Sequence, residues 1–287
     1  MRDFSQSHEW LSINTATLRK QWPLTRIIDE CARRGIRAIS PWRDQVAAVG
    51  LSKVAGQLRA HGMQLSGYCR GGFFPAPDAA GLKAALEDNI RAMDEAKTLS
   101  APCLVLVVGS LPGALNGAPA HRDIARVRNE VRDGIAASLE YARSIGLPLS
   151  IEPLHPMQAA ERACVNTLEQ ALDLCDALDP AQSGALGVAV DLYHVWWDPK
   201  LQQQIARAGA KRLHAFHVCD WLTPTRDLLN DRGMMGDGVI QIAQARGWVE
   251  AAGFAGFAEV EIFSDHWWSQ PGEAVLETCI ARHRSVV

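Results

Sequence analysis

Short apolar segments alternate with amphipathic stretches along the whole chain. Each apolar segment is bounded by turn residues, which is typical of buried strands. Eight such segments occur, namely LSIN (11–14), IRAISPW (36–42), MQLSGYC (63–69), CLVLVVG (103–109), LPLSIEP (147–153), LGVAVDLYH (186–194), RLHAFHV (212–218) and GFAEVEIF (256–263). The pattern therefore predicts eight strands separated by longer connections.

The stretches between these segments place apolar residues at helical spacing. In 24–35, Leu24, Ile27, Ile28 and Cys31 fall on one face, and Gly35 follows as a stop. Further helices are predicted at 81–99, 123–146, 166–178, 239–253 and 272–284. Strands that alternate with helices favour a parallel sheet, and eight units in a chain of this length predict a (β/α)8 TIM barrel that forms a single domain, 1–287. An open doubly wound sheet is the alternative, but no G-x-G-x-x-G follows the first strand.

Composition narrows the class of protein. The chain has 287 residues, 48% of them hydrophobic, and a formal net charge of -3, without a basic run that would favour nucleic acid or an anionic membrane. The polar start MRDFSQSHEW contains no apolar signal-peptide segment, and no stretch reaches the length of a membrane span. Seven scattered cysteines without a C-x-x-C indicate neither a disulfide framework nor a thiolate zinc site. We expect a cytoplasmic protein.

Polar residues stand at the C-terminal ends of the last four predicted strands, where a barrel gathers its reactive side chains. These residues are Glu152, Asp191, His217 and Glu261. Three neighbouring carboxylates repel one another unless a cation joins them, and three oxygen ligands with one nitrogen suit a divalent ion. The set favours Mn²⁺ or Mg²⁺, and Co²⁺ or Zn²⁺ also fit. Glu259 shares the strand face with Glu261 and is the alternative ligand.

With these motifs the chain resembles the xylose isomerase-like TIM barrels, a group that includes ketose 3-epimerases, hydroxypyruvate isomerase, inosose dehydratase and endonuclease IV. The resemblance covers the whole chain and is strongest over 147–264, in SIEP, VDLYH, FHVCD and EVEIF. The ketose 3-epimerase and inosose dehydratase branch fits best. It implies that Glu152, Asp191, His217 and Glu261 bind one metal ion, and that Glu152 and Glu261 exchange a proton with the substrate.

The resemblance also implies substrate contacts. His194, in the Asp-x-x-His spacing, and Arg232, in NDRGMMGDG, match substrate-binding positions of the epimerases, with Arg226 as the alternative to Arg232. Trp42 and Trp196 are candidate pocket walls. Arg70 is either a phosphate or carboxylate contact or an ion-pair partner of a barrel acid, and His155 is either near the substrate or simply packed.

These residues together predict a metal-dependent isomerase or epimerase acting on a small sugar or keto-polyol through an enediolate. A dehydratase or lyase with the same ligands is the alternative, and a non-catalytic sugar-binding barrel is a second one. A repair nuclease is disfavoured, because Trp42 and Arg70 stand where endonuclease IV carries additional histidines. We expect no nucleic-acid or membrane partner, and a homo-oligomer is possible.

Overall fold

The computed structural model describes residues 2–287. Nine parallel strands form the barrel wall, and two short antiparallel strands lie outside it. In chain order the strands are β1 (Leu11–Asn14), β2 (Ala38–Ser40), β3 (Gln64–Leu65), β4 (Tyr68–Gly72), β5 (Leu104–Val107), β6 (Leu149–Ile151), β7 (Leu186–Asp191), β8 (Leu213–Val218), β9 (Asp220–Trp221), β10 (Arg232–Gly233) and β11 (Ala258–Val260). The outer pair is β9 with β10. The prediction of a TIM barrel is confirmed.

The third predicted strand, 63–69, is two strands rather than one, which corrects the count of eight. β3 pairs with β2, whereas β4 pairs with β5. The chain changes partners between Leu65 and Tyr68, so one segment contacts both of its neighbours in the barrel. A parallel bridge between Trp42 and Cys69 then joins the end of the second strand to β4 and closes the wall.

Eleven helices occur in residues 2–287, and the longer ones cover the outside of the barrel. They are α1 (Leu24–Arg33), α2 (Arg43–Val49), α3 (Leu51–Ala60), α4 (Ala79–Thr98), α5 (Ile124–Ile145), α6 (Leu168–Leu178), α7 (Leu192–Val195), α8 (Leu201–Arg212), α9 (Ile242–Ala251), α10 (Asp265–Trp268) and α11 (Gly272–Ser285). The Asp123 carboxylate caps the start of α5, and Gly146 ends it in the left-handed region with φ 63°. Local capping thus sets the bounds of α5.

The two faces of the strands bury different side chains. Val188 and Val190 belong to the large apolar core that also includes helix residues, whereas Ala189 and Ala215 lie in a separate cluster of small side chains. Asp191 and His217 follow the phase of Ala189 and Ala215, because side chains alternate along a strand. Small side chains on that face leave room at the strand ends for the polar site.

Two further expectations concern the cysteines and the absence of a membrane-spanning helix. All seven cysteines are buried and unoxidised within the described residues, in agreement with their use as small apolar side chains. Across residues 2–287, every helix is too short or too polar to cross a bilayer.

Candidate metal and substrate site

The four predicted metal ligands lie together at the C-terminal end of the barrel. Glu152 follows β6, Asp191 ends β7, His217 lies next to the end of β8, and Glu261 follows β11. Asp191 and His217 stand side by side in the register of β7 and β8. One ligand atom from each residue lies within 4.8 Å of those from the other three, and all four side chains are buried. This is the geometry of a small ion site.

Glu152 and His217 carry buried polar atoms in this group that the described residues leave without a hydrogen-bond partner. The Nδ1 atom of His217 lies 2.9 Å from Oε1 of Glu152, but the contact lacks hydrogen-bond geometry. Among the described residues, neither that oxygen nor either His217 nitrogen has a hydrogen-bond partner. Buried polar groups without partners are costly. The side chains present therefore fit a divalent cation, which would satisfy them.

Arg232 adds a positive charge to the same group. Its Nη1 atom donates to Oδ2 of Asp191 at 2.9 Å and to Oε2 of Glu261 at 3.0 Å. The antiparallel pairing of Arg232 with Trp221, in β10 and β9, places the Arg232 side chain at the C-terminal end of the barrel. Its alternative, Arg226, instead pairs with Asp231, and the Arg226 side chain is 71% exposed. Arg232 is thus the arginine that the structure brings to the site.

The pKa values of the group reflect burial together with the charges next to each side chain. Burial, with help from Glu152 and Asp191, raises the pKa of Glu261 to about 8 despite the opposing charge of Arg232. Burial opposes ionisation of Asp191 as well, but Arg232, His194 and His217 lower the pKa of Asp191 to about 2. Burial would lower the pKa of His217, yet the surrounding carboxylates raise it well above its usual range. Such a group holds protons that a dication would displace.

His194 is buried beside this group and is held in the neutral form. Burial lowers the pKa of His194 to about 3. Its Nδ1 atom accepts from the backbone N–H of His155 at 3.1 Å, and Nε2 lies 3.2 Å from Nη2 of Arg232. A neutral imidazole has one accepting nitrogen, and arginine only donates, so both contacts cannot be hydrogen bonds at once. Acceptance by Nδ1 leaves the proton on Nε2, facing the site.

Glu259 lies one layer below Glu261 and is held by hydrogen bonds. It accepts from Nδ2 of Asn14 at 2.8 Å and from Oγ of Ser66 at 2.7 Å. Nδ2 of Asn14 also donates to Oε1 of Glu261 at 2.8 Å, and Oδ1 of Asn14 accepts from Nε1 of Trp42 at 2.8 Å. The sequence places Asn14 at a strand end but gives no sign that it links two acids to a tryptophan.

A cavity of about 240 Å³ opens onto the acids. Four predicted substrate contacts line it, namely Trp42, Arg70, His194 and Arg232. Phe73, in GGFF after the third strand, lines it as well, and so do four residues that the sequence does not single out as substrate contacts, namely Arg19, Arg162, Tyr193 and Phe263. Their aromatic rings and cationic groups surround the carboxylates, as in a pocket for a small polar molecule.

Two predicted substrate contacts, His155 and Trp196, are not among the described residues that line this cavity. The ring of His155 stacks on the ring of Trp221, with centroids 4.7 Å apart. The ring of Trp196 also packs against Trp221, with a centroid distance of 5.8 Å. Trp221 thus holds both side chains in an aromatic cluster beside the site. A contact of either residue with the substrate stays a prediction.

The fold and the site define a TIM barrel with an acidic, histidine-containing centre at the C-terminal ends of its strands. A family model described as xylose isomerase-like TIM barrel matches residues 28–284. The chain therefore belongs to the xylose isomerase-like TIM barrel family, as its motifs suggest.

Similar proteins agree with this assignment. An inosose isomerase of Bacillus velezensis is 20% identical over 284 residues, which cover 96% of each chain. The crystal structure of protein SMc04130 from Sinorhizobium meliloti 1021 is 56% identical with a TM-score of 0.92, over 98% of this chain and 99% of that one. The structure of the IolI protein with a zinc atom is 20% identical with a TM-score of 0.81, over 96% and 97% of the two chains. The expectation of an isomerase agrees with the name of the first relative.

Proposed function

We propose that this protein is a metal-dependent sugar isomerase or epimerase that moves a proton at a carbon next to a carbonyl group. The observation that carries the proposal is the buried set of Glu152, Asp191, His217 and Glu261, whose ligand atoms lie within 4.8 Å of one another. The inosose isomerase relative supports the same class of reaction.

The site residues would hold one divalent ion. Three carboxylates and one imidazole favour Mn²⁺, and Mg²⁺ or Co²⁺ also suits them. Zn²⁺ is the main rival, because the related IolI structure is described with zinc. When bound, such an ion would polarise the substrate carbonyl and acidify the neighbouring C–H bond.

Glu152 and Glu261 are the proposed acid and base. A carboxylate at one of these positions takes the proton from the carbon, and the C–H electron pair becomes the double bond of an enediolate. The carboxylic acid at the other position then gives a proton back. Return to the same carbon from the opposite face inverts it, whereas return to the neighbouring carbon, with the hydroxyl proton passing to the former carbonyl oxygen, exchanges aldose and ketose.

Other side chains orient the substrate and exclude water. The Nε2–H group of His194 faces the acids and would donate to a substrate oxygen on which negative charge develops. Trp42 and Phe263 pack edge to face, 5.4 Å apart, and give the cavity an apolar wall. A wall of this kind suits the carbon face of a sugar or cyclic polyol.

Solvent-exchange labelling tests the proposal. The Mn²⁺-loaded protein is incubated in D₂O with an inosose and a panel of ketoses, and recovered substrate and product are analysed by NMR. We expect deuterium at the carbon next to the carbonyl, and no label with Glu152→Gln. An unsaturated product would instead identify a dehydratase. A protein that binds no metal and exchanges no proton would be a sugar-binding barrel.

A further inference from the structure

Arg70 occupies an unusual position in the barrel wall. The register of β4 against β5 shifts between Cys69 and Gly71, so Arg70 is the extra residue of a β-bulge. Bulges turn a side chain away from the direction that regular alternation would give it. Here Arg70 lines the cavity that opens onto Glu152 and Glu261.

The guanidinium of Arg70 has no acidic partner in the described chain. No ion pair or hydrogen bond joins its side chain to any of residues 2–287; instead it lies over the ring of Phe73 at 4.1 Å and near Trp42 at 5.9 Å. Two acids that line a neighbouring pocket with Arg70 are occupied, because Asp44 pairs with Arg19 and Asp88 pairs with Arg43. A largely buried cation without a counter-charge is unfavourable.

Two neighbouring arginines add to the positive charge around Arg70. Burial lowers the pKa of Arg70, and the charges of Arg162 and Arg43 act in the same direction, whereas Cys69 and Asp44 act against them. Arg43 is neutralised by two acids, Asp88 and Glu95, with contacts of 2.8 Å. Arg162 lines the same cavity as Arg70 and has no ion-pair partner among the residues described.

Gln158 supplies a third polar group at this place. It is 5% exposed, it lines the cavity, and its Oε1 atom lacks a hydrogen-bond partner within the described structure. Gln158 and Arg162 both lie in the connection that follows β6. Gln158 is the last residue of the helical segment Pro156–Gln158, and Arg162 lies in the turn after it. A carboxamide can rotate to present its N–H donors to an anion.

We propose that the substrate carries an anionic group, a carboxylate or a phosphate, which Arg70 and Arg162 bind. This proposal rests on the proposed function and narrows its substrate class from neutral sugars to sugar acids or sugar phosphates. The planar guanidinium of Arg70 donates two parallel hydrogen bonds to such a group. The anion supplies the counter-charge that Asp44 and Asp88 do not, since both are engaged elsewhere.

Binding of three matched probes tests the proposal. D-sorbitol, D-gluconate and D-sorbitol 6-phosphate share a polyol chain and differ in their charged group, so calorimetric titration separates charge from shape. We expect at least one charged probe to bind about tenfold or more tightly than sorbitol. The better charged probe identifies the group as carboxylate or phosphate.

Variants connect that preference to the arginine. Arg70→Met should abolish the tighter binding of the charged probe. Arg70→Lys keeps the positive charge but cannot donate two parallel hydrogen bonds, so it should retain part of that tighter binding. Arg59→Met, on the exposed surface of α3, is the control and should behave like the wild type. If Arg70→Met does not fold, as judged by circular dichroism, Arg162→Met takes its place.

Equal affinity for the three probes, including no binding of any, would overturn the proposal. So would a charged-probe advantage that survives both Arg70→Met and Arg162→Met. Metal content and deuterium exchange are measured separately on the same samples. Loss of these two properties with a retained anion preference would disprove the isomerase function, whereas the reverse pattern would disprove only the anion site.

Discussion

The side-chain amide of Asn14 donates a hydrogen bond to Oε1 of Glu261 at 2.8 Å, from the strand directly beside it in the barrel wall. The same nitrogen donates its other proton to Glu259, and the amide oxygen accepts from Trp42. All of these groups are buried or half-buried. Asn14 thus fixes the orientation of the proposed acid relative to the cavity wall.

Asn14→Asp should therefore slow the reaction without removing the cavity. The change replaces a donor with a carboxylate next to Glu259 and Glu261, so two hydrogen bonds become repulsive contacts. Loss of a hydrogen bond to a charged group costs about 1.5–3 kcal/mol, so we expect kcat to fall about tenfold or more and the melting temperature to drop. Asn116→Asp, in an exposed loop, is the control. Unchanged kcat in Asn14→Asp would show that Asn14 does not position Glu261.

His217→Ala should remove the metal ion. His217 is the nitrogen ligand of the proposed set, and its ring fills the space between Glu152 and Glu261. Elemental analysis of dialysed protein should give one divalent ion per chain in the wild type and none in the variant. His61→Ala, which alters an exposed histidine paired with Asp29, should keep the ion. A wild type that stays empty after addition of Mn²⁺, Co²⁺ and Zn²⁺ would rule out the site.

Glu261→Gln should abolish proton transfer while preserving the shape of the site. The amide is isosteric but can neither accept nor return a proton at the catalytic step, and general acid–base catalysis contributes about 10²–10⁴ in rate. Deuterium exchange should fall by about that factor, with metal content measured in parallel. Glu273→Gln, on the surface of α11, serves as the matched control. Near-normal exchange in Glu261→Gln would assign the acid to another residue, with Glu259 as the first candidate.

Two glycine substitutions should change stability in opposite directions. A Cβ on Gly134 in α5 would stand 2.5 Å from the buried ring of Phe74, whereas one on Gly56 in α3 would meet open space. Gly134→Ala should destabilise the protein by about 1–3 kcal/mol because of overpacking. Gly56→Ala should stabilise it by about 0.5–1 kcal/mol through helix propensity. Urea unfolding monitored by circular dichroism measures both, and a stabilised Gly134→Ala would show that Phe74 can move.

The barrel was predictable because its strands and long helices carry strong local patterns. The ends of the strands were harder to predict, as the predicted strand 186–194 illustrates. β7 stops at Asp191 because the Asp191 carboxylate accepts from the backbone N–H of Tyr193 at 2.8 Å and starts a helical turn. The pair β9 and β10 was not predicted, since strands of two residues show no periodicity. That pair determines where Arg232 lies.

The metal-ligand candidates were predictable for a topological reason. The carboxyl ends of parallel strands meet at one rim, so acids at successive strand ends must converge. No such rule places residues in loops, and Trp196 and His155 turn instead towards Trp221. The lack of a partner for Arg70 depends on which acids Arg19 and Arg43 engage, which only the tertiary structure defines.

The barrel divides its rim into two parts. The acids and the imidazole lie at the C-terminal ends of β6, β7, β8 and β11, whereas Trp42, Arg70 and Phe73 come from the β2–β4 part of the wall. Part of the cavity wall thus precedes all four proposed ligands in the sequence, whereas His194 and Arg232 lie between them. Substitutions at Arg70 or Phe73 can therefore change which molecules the cavity accepts while leaving the four proposed ligands in place, whereas a substitution at Trp42 also reaches Glu261 through Asn14.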